Sequence, residues 1–425
     1  MEKVRAATST DLFPNLQDPH AEFVLLRSCL ALPKISFNLR TVNTMEHVEI
    51  LRDFDSITRE ALSRILGTPV DDGVWQQAKL PVPMGGMELR GAEDHASAAY
   101  AASFLASQTL ARELQHRLEE EPTTLPQELI NGLSNRQGEE VNVEELEVMS
   151  QKAISTKIDL NNKRLFTNSI QESGVVREIA RVACLGLPHA GDWLQAAPIP
   201  TLGLHLQPRE FILAAKYRLG CAVYDNDGPC PACLKPSDKL GDHALNCGFT
   251  QERIARHNHL RDAYYETAVS AALAPVKEGR YLIPGSDRRP ADVLIPYWRS
   301  GKDAALDITV VNPIQQATLH QAAVTPGYAL TYAYEGKMNK AAEACRQQGL
   351  AFIPLAFESF GGWHEVTHME VKKLAGALSR HTGQDEQQAG QHICQRLALL
   401  LQKGNAAILG NRAPEPPNAV IDGVE

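Results

Sequence analysis

Cys230, Cys233, His243 and Cys247 stand at the spacing Cys-x2-Cys-x9-His-x3-Cys. A Cys-x2-Cys pair lets two thiolates converge on one ion from a tight turn, and a His and a Cys four residues apart add two more donors. Gly228, Pro229, Pro231, Pro236 and Gly241 supply the turns that such a small knuckle needs. Four protein ligands leave no open coordination position, so the expected role is a structural Zn2+. The nine-residue loop does not by itself assign a nucleic-acid ligand. A second constellation is Arg289-Pro-Ala-Asp292 followed by Leu306-Asp307-Ile-Thr309. Two aspartates on successive strands of a hairpin can share one hard cation, Mg2+ or Mn2+. Such an ion activates a water and neutralises charge on a phosphate. Two aspartates in a hairpin also occur as plain surface residues. Asp307, however, is flanked by Ala304, Ala305, Leu306, Ile308, Val310 and Val311, an expensive place for an unpaired carboxylate.

These residues must be positioned by elements that the pattern predicts. Gln251–Leu273 reads as a helix with Leu260, Tyr264, Ala268 and Ala271 on one stripe. Pro275–Ile283, Ala291–Trp298 and Ala304–Val311 are short Val/Ile/Leu/Tyr-rich segments between turn compositions. Residues 316–348 read as helical with a break at Pro326-Gly327, and Leu350–Phe357 is a last apolar strand. The order is α-β-β-β-α-β: a meander of three strands, then a helical crossover to the fourth. Upstream, the expectation is mostly helix, with Glu93–Leu118 free of Gly and Pro, a loop over Glu119–Gly138, and a helix over Pro208–Leu219 ending at Gly220. The fold class expected is thus multi-domain, α plus α/β. The expected parts are helical residues 1–125, a helical linker region over 126–220, a zinc knuckle over 221–250, the mixed core over 251–363, C-terminal helices over 364–402, and a disordered tail over 403–425.

The pieces Cys230-Pro-Ala-Cys233, Gly241-Asp-His243, Arg256-His-Asn258, Arg289-Pro-Ala-Asp292 and Ala305-Leu-Asp307-Ile-Thr-Val310 occur in that order. Over residues 205–363 they resemble the C-terminal region of non-LTR retrotransposon polyproteins. That region carries a zinc knuckle and a restriction-enzyme-like PD-(D/E)XK endonuclease, whose core has the α-β-β-β-α-β order. More weakly, Leu80–Leu89 and Trp193–Arg209 resemble the linker after the reverse-transcriptase palm and thumb, which makes residues 1–125 thumb- or linker-like. The resemblance implies a Mg2+- or Mn2+-dependent endodeoxyribonuclease with Asp292 and Asp307 on the metal. It implies Lys337 or Lys340 as the catalytic lysine, since Thr309 stands where the family's lysine is usual. A third acid is implied at Glu278 on the first strand, with Asp262 behind it. Arg256, Arg288 and Arg289 are the implied phosphate contacts, whereas His257, near the apolar stripe of its helix, reads as a structural histidine. Here Pro290-Ala-Asp292 is one residue longer than the family's Pro-Asp. Tyr297, Trp298, Phe360 and Trp363 read as core or rim aromatics.

Composition narrows the classes. The chain has 425 residues, 44% hydrophobic and 22% charged, which excludes a mainly disordered protein and suggests more than one domain. No stretch approaches the roughly 18–20 apolar residues of a membrane span. No secretory leader precedes the eight cysteines, so an intracellular location and metal-bound rather than bridged thiols are expected, and the resemblance implies the nucleus. No Phe/Tyr-x-Asp-Asp polymerase motif is present; Asp71-Asp72 reads as a turn. The expected partners are DNA, element RNA and a separate reverse-transcriptase domain. The net charge of −9 argues against a generally basic coat, but residues 251–350 hold 12 Lys and Arg against 10 Asp and Glu. The acidity therefore lies elsewhere, and nucleic acid is retained as a partner. A catalytically inactive nucleic-acid-binding remnant is the alternative to the enzyme.

Overall fold

Helix-forming runs fill the first part of the chain and strand-forming runs enter from Gly228, with caps and glycines setting their ends. The computed structural model describes residues 16–44, 47–118, 124–249, 251–280, 282–284 and 290–413. Its chain divides into two compact units at Ser173/Gly174, inside the segment 126–220 that composition had set apart.

The first unit is helical: α1 (Pro19–Leu25), α2 (Leu32–Thr41), α3 (Val48–Leu66), α4 (Asp72–Lys79), α5 (Ala92–Leu118), α6 (Gln127–Gln137), α7 (Val143–Val148) and α8 (Gln151–Glu172). The expected loop over 119–138 is corrected by α6, which buries Leu129 and Leu133 and stops at Gly138 in the left-handed conformation. Packing of those leucines outweighs the turn signals around them. Asp71 caps α4 by accepting the Val74 N–H at 2.8 Å, so Asp72 and Gly73 open a helix where a turn was expected. The segment Leu80–Leu89 is tightly folded: a Cβ on Gly86 would lie 1.9 Å from the Leu80 carbonyl oxygen, so no other residue fits there. Asp55 accepts the N–H groups of Ala92 and Glu93 at the start of α5, and burial pushes its carboxyl up to about 7.

The second unit carries α9 (Val176–Leu185), α10 (Asp192–Gln195), α11 (Pro208–Leu219), the two-residue strands β1 (Gly228–Pro229) and β2 (Pro236–Ser237), and α12 (Asp242–Asn246). It continues with α13 (Gln251–Ser270), β3 (Val276–Lys277), β4 (Val293–Arg299), β5 (Lys302–Val311), α14 (Leu319–Val324), α15 (Tyr328–Gln347), β6 (Ala351–Glu358), α16 (Glu365–Thr382) and α17 (Glu386–Asn411). The order helix, three strands, helix, strand is present, with the helix break at Pro326-Gly327. Strands β3, β4 and β5 are antiparallel neighbours, and β6 pairs parallel with β5 after the crossover. Ser300 and Gly301, both at positive φ, form the two-residue turn between β4 and β5.

Alternation assigns the two faces of this sheet. Val293, Ile295, Ala304, Leu306 and Ile308 join Leu260 and Tyr264 of α13, with Leu374 and Leu397 from α16 and α17, in the main core. The opposite face is thinner: Ala291, Ala305 and Cys345 are buried there, with Leu294 and Phe352 half-buried. Trp298, Phe360 and Trp363 are core residues, while Tyr297 is exposed. Helix α17 runs to Asn411, which corrects the expected start of a disordered tail at 403. Ala406, Ile408 and Leu409 are buried against α9, α11 and α12, and that apolar contact extends the helix. Residues 414–425 of that expected tail lie outside the described residues.

Arg256, expected at phosphate, sits instead where α13 crosses α17. It is only 4% exposed, and its guanidinium donates to Asn405 Oδ1 at 2.6 Å. Gly404 permits the approach, since a Cβ there would fall 2.4 Å from Arg256 Cγ. Burial lowers the Arg256 pKa to about 9. Asn405→Ala removes a partner of this buried cation and is expected to cost about 1.5–3 kcal/mol in urea unfolding. An unchanged midpoint would show that the guanidinium is otherwise solvated.

Candidate functional site

The turn between β1 and β2 presents Cys230 and Cys233. Leu234, at a φ of 60°, donates its N–H to the Cys230 carbonyl, and the Cys230 N–H donates to the Lys235 carbonyl. His243 lies on α12 and Cys247 directly follows it. Asp238 orients that short helix by accepting the N–H groups of Asp242 and His243 at 3.0 and 2.8 Å. Arg177 clamps it to α9 through both oxygens of Asp242, at 2.8 and 2.9 Å. Gly241 is required at a φ of 83°, because a Cβ would meet Leu409 Cδ2 at 2.5 Å.

The four donor atoms lie within 4.8 Å of one another. Cys230 Sγ is 3.9 Å from Cys247 Sγ, and Cys233 Sγ is 3.2 Å from His243 Nε2. A tetrahedral zinc with Zn–S bonds of about 2.3 Å sets its sulfurs about 3.8 Å apart. The cluster can hold a zinc ion, as the spacing predicts, and its cysteines form no disulfide.

Asp292 and Asp307 come together where the regular β4–β5 pairing ends. The last regular pair is Val293↔Leu306, and beyond it the Asp292 N–H also turns to the Leu306 carbonyl, at 2.8 Å, as at a β-bulge. Asp307 alternates with Ala305 onto the thinner face under α15, while Asp292 turns toward His257 of α13. Lys337 of α15 places its Nζ 2.7 Å from Asp307 Oδ2. Asp292 Oδ2 accepts the Ile308 N–H at 2.6 Å and lies 3.0 Å from His257 Nε2. Burial raises the Asp307 pKa; the Lys337 ammonium opposes that shift and the Asp292 carboxylate adds to it. The His257 pKa is raised, first by its hydrogen bond to Asp292, against burial. His257, Thr309 and Lys337, with Arg253 and Ile254, line a cleft of about 350 Å³.

The other expected site residues are placed as follows. Glu278 follows β3 rather than lying in it; its N–H donates to the Asp292 carbonyl, and its carboxylate is paired with Arg261. Glu278 thus stands beside Asp292 where the β3–β4 pairing ends. Asp262 pairs with Arg261 and Lys277. Lys340 is exposed, and no ion pair joins it to either aspartate among the described residues. Arg288 and Arg289 lie outside the described residues. The residue missed by sequence reasoning is His257. Its place near an apolar stripe suggested packing, yet its ring reaches the carboxylate; the adjoining Arg-His-Asn was the available signal.

No protein-family model matches this chain, and no curated protein matches it. Among the described residues no helix is long and apolar enough to cross a membrane.

Proposed function

We propose that residues 251–363 form a metal-dependent DNA endonuclease of the restriction-enzyme-like PD-(D/E)XK class, steadied by a structural zinc in residues 221–250. In this reading the chain is the part of a non-LTR retrotransposon protein downstream of its polymerase, working in the nucleus on DNA with a separate reverse-transcriptase domain. The observation that carries it is the Asp292 carboxylate held on the Ile308 N–H, next in chain to Asp307, with Lys337 on Asp307. Neighbouring like charges cost stability, and a divalent cation between them offsets that cost.

Asp292 and Asp307 would hold Mg2+ or Mn2+. Bound there, the ion supplies charge neutralisation and a water of lowered pKa. Lys337 keeps a fixed positive charge at the mouth of the cleft, available to negative charge developing on the phosphate. His257 and the Ile308 N–H hold Asp292 in one orientation, so the carboxylate is aimed before metal arrives. Thr309, at the usual lysine position, contributes a hydroxyl instead of an ammonium.

Purified full-length protein with Mg2+ or Mn2+ is expected to nick supercoiled DNA. Asp307→Asn is expected to abolish the product, and Lys337→Met to slow it about 10²–10³-fold. Undiminished nicking by Asp307→Asn would remove the assignment. A second reading is favoured by one observation: Asp307, Asp292 and Glu278 each already contact a cationic or protonatable group of this chain, Lys337, His257 and Arg261 in turn. A nucleic-acid-binding remnant of that kind would retain binding in Asp292→Asn and Asp307→Asn and yield no metal-dependent product.

A further inference from the structure

A second group of metal-ligating side chains lies outside both sites described above. His189, Asp192 and Cys394 offer a ring nitrogen, a carboxylate oxygen and a thiol sulfur that all lie within 4.8 Å of one another. They come from the turn before α10, from the start of α10 and from α17, so no single local motif accounts for their meeting. The His189 backbone is left-handed, at a φ of 70°, a conformation that a residue with a Cβ adopts at a cost. The surrounding contacts hold the ring in place. It stacks on Trp363 with centroids 4.1 Å apart, its Nδ1 lies 2.7 Å from Asp192 Oδ2, and its Nε2 lies 2.8 Å from His368 Nδ1.

We propose that His189, Asp192 and Cys394 form a second transition-metal site, of the zinc class, distinct from the Cys3His cluster. Imidazole nitrogen, carboxylate oxygen and thiolate together are ligands that Zn2+ and Co2+ accept and that Mg2+ and Ca2+ do not favour. His189 would ligate through Nδ1, the nitrogen beside Asp192. Its Nε2–H then donates to His368 Nδ1, the outer hydrogen bond by which ligating histidines are oriented. Three protein ligands leave a fourth position for water or a small anion. A cavity of about 680 Å³, lined in part by His368, Val371, Ala375, Asp385, Gly390 and Cys394, adjoins the site and gives room for such a ligand. The Cys3His cluster, by contrast, is complete with its own four donors.

Metal content of the full-length protein, purified with Zn2+ and freed of loose metal by gel filtration, tests this. Wild type is expected to retain two zinc ions per chain. Cys394→Ser and His189→Ala are each expected to retain one, and Cys233→Ser likewise one. Cobalt loading of the Cys233→Ser protein is expected to give a thiolate-to-cobalt absorption band that Cys394→Ser eliminates. Thermal melts of the variants confirm that they are folded when metal is counted. One zinc per chain in wild type, unchanged in Cys394→Ser, would overturn the proposal and leave a metal-free His–His–Asp hydrogen-bonded array. A single zinc lost in Cys394→Ser would support this site and remove the Cys3His assignment. None of these outcomes depends on DNA cleavage.

Discussion

Cys233→Ser is expected to release the zinc of the Cys3His cluster and to loosen residues 223–247, at a large cost in stability. The segment has little else to hold it: β1 and β2 are two residues each, and α12 is five. Such elements are too short to persist alone, and structural zinc sites in isolated finger peptides bind with about 10–16 kcal/mol. Within the folded unit part of that energy is backed by burial of Tyr224, Ala244 and Leu245 beside α9, α11 and α17. A loss of about 3–5 kcal/mol is therefore expected, near the cost of removing other covalent or metal staples. Cys233 suits the test because it is only half-buried, whereas Cys230 and Cys247 are buried and a serine there would add a desolvated hydroxyl. Hydrogen exchange should show lost protection over the knuckle first and over Arg177 and α9 next, since Arg177 is clamped to Asp242. A variant with wild-type exchange and melting would show that these four side chains do not share a metal.

Glu358→Gln is expected to stabilise the protein at neutral and alkaline pH and to do little in acid. Glu358 ends β6, is fully buried, and neither of its carboxylate oxygens meets a well-aligned hydrogen-bond donor among the described residues. Burial pushes its pKa from 4.5 up to about 8, and the Cys184 thiol beside it opposes that shift. The unfolded chain releases this proton near 4.5, whereas the folded one keeps it to about 8. Between those values the native state binds more protons, so stability falls as pH rises; below the window and above it the contribution is flat. A shift of that size corresponds to on the order of 5 kcal/mol of pH-dependent destabilisation. Glutamine keeps the shape without the ionisation. Urea unfolding of both proteins from pH 4.5 to 8.5 should show the stability gap widening steadily and then levelling near pH 8. Parallel profiles would mean that Glu358 is already solvated or paired.

Element order in the second unit was legible because each signal was local. The Val/Ile/Leu-rich runs over 291–298, 304–311 and 350–357 are too short for helices, and Gly- or Pro-bearing turns separate the first two from their neighbours. The 3.6-residue stripe of α13 and the break at Pro326-Gly327 were equally plain. The Cys/His spacing also reads locally, since a turn brings a Cys-x2-Cys pair together whatever surrounds it. The end of α17 was not legible: the Pro-rich tail beyond it dominated the composition, while Ile408 and Leu409 find their partners on distant helices. Helix α6 was hidden for the same reason. Its Gly and Asn residues look like turn signals until Leu129 and Leu133 are buried.

The sequence alone determined the ligand types, the strand-bearing core and the placement of two aspartates on one hairpin, because the spacing of apolar and turn residues sets element order over a few residues. Only the tertiary structure decided which long side chains reach those carboxylates. Arg256 and His257 are adjacent on one helix, yet a rotation of about 100° per residue turns the first into the α17 interface and the second onto Asp292. Lys337 and Lys340 are three residues apart on α15, and only Lys337 arrives at Asp307. The meeting of His189, Asp192 and Cys394 likewise depends on how a turn and a distant helix pack. Chain neighbours share a local pattern, but the direction of a side chain in a site is set by packing partners far away in sequence.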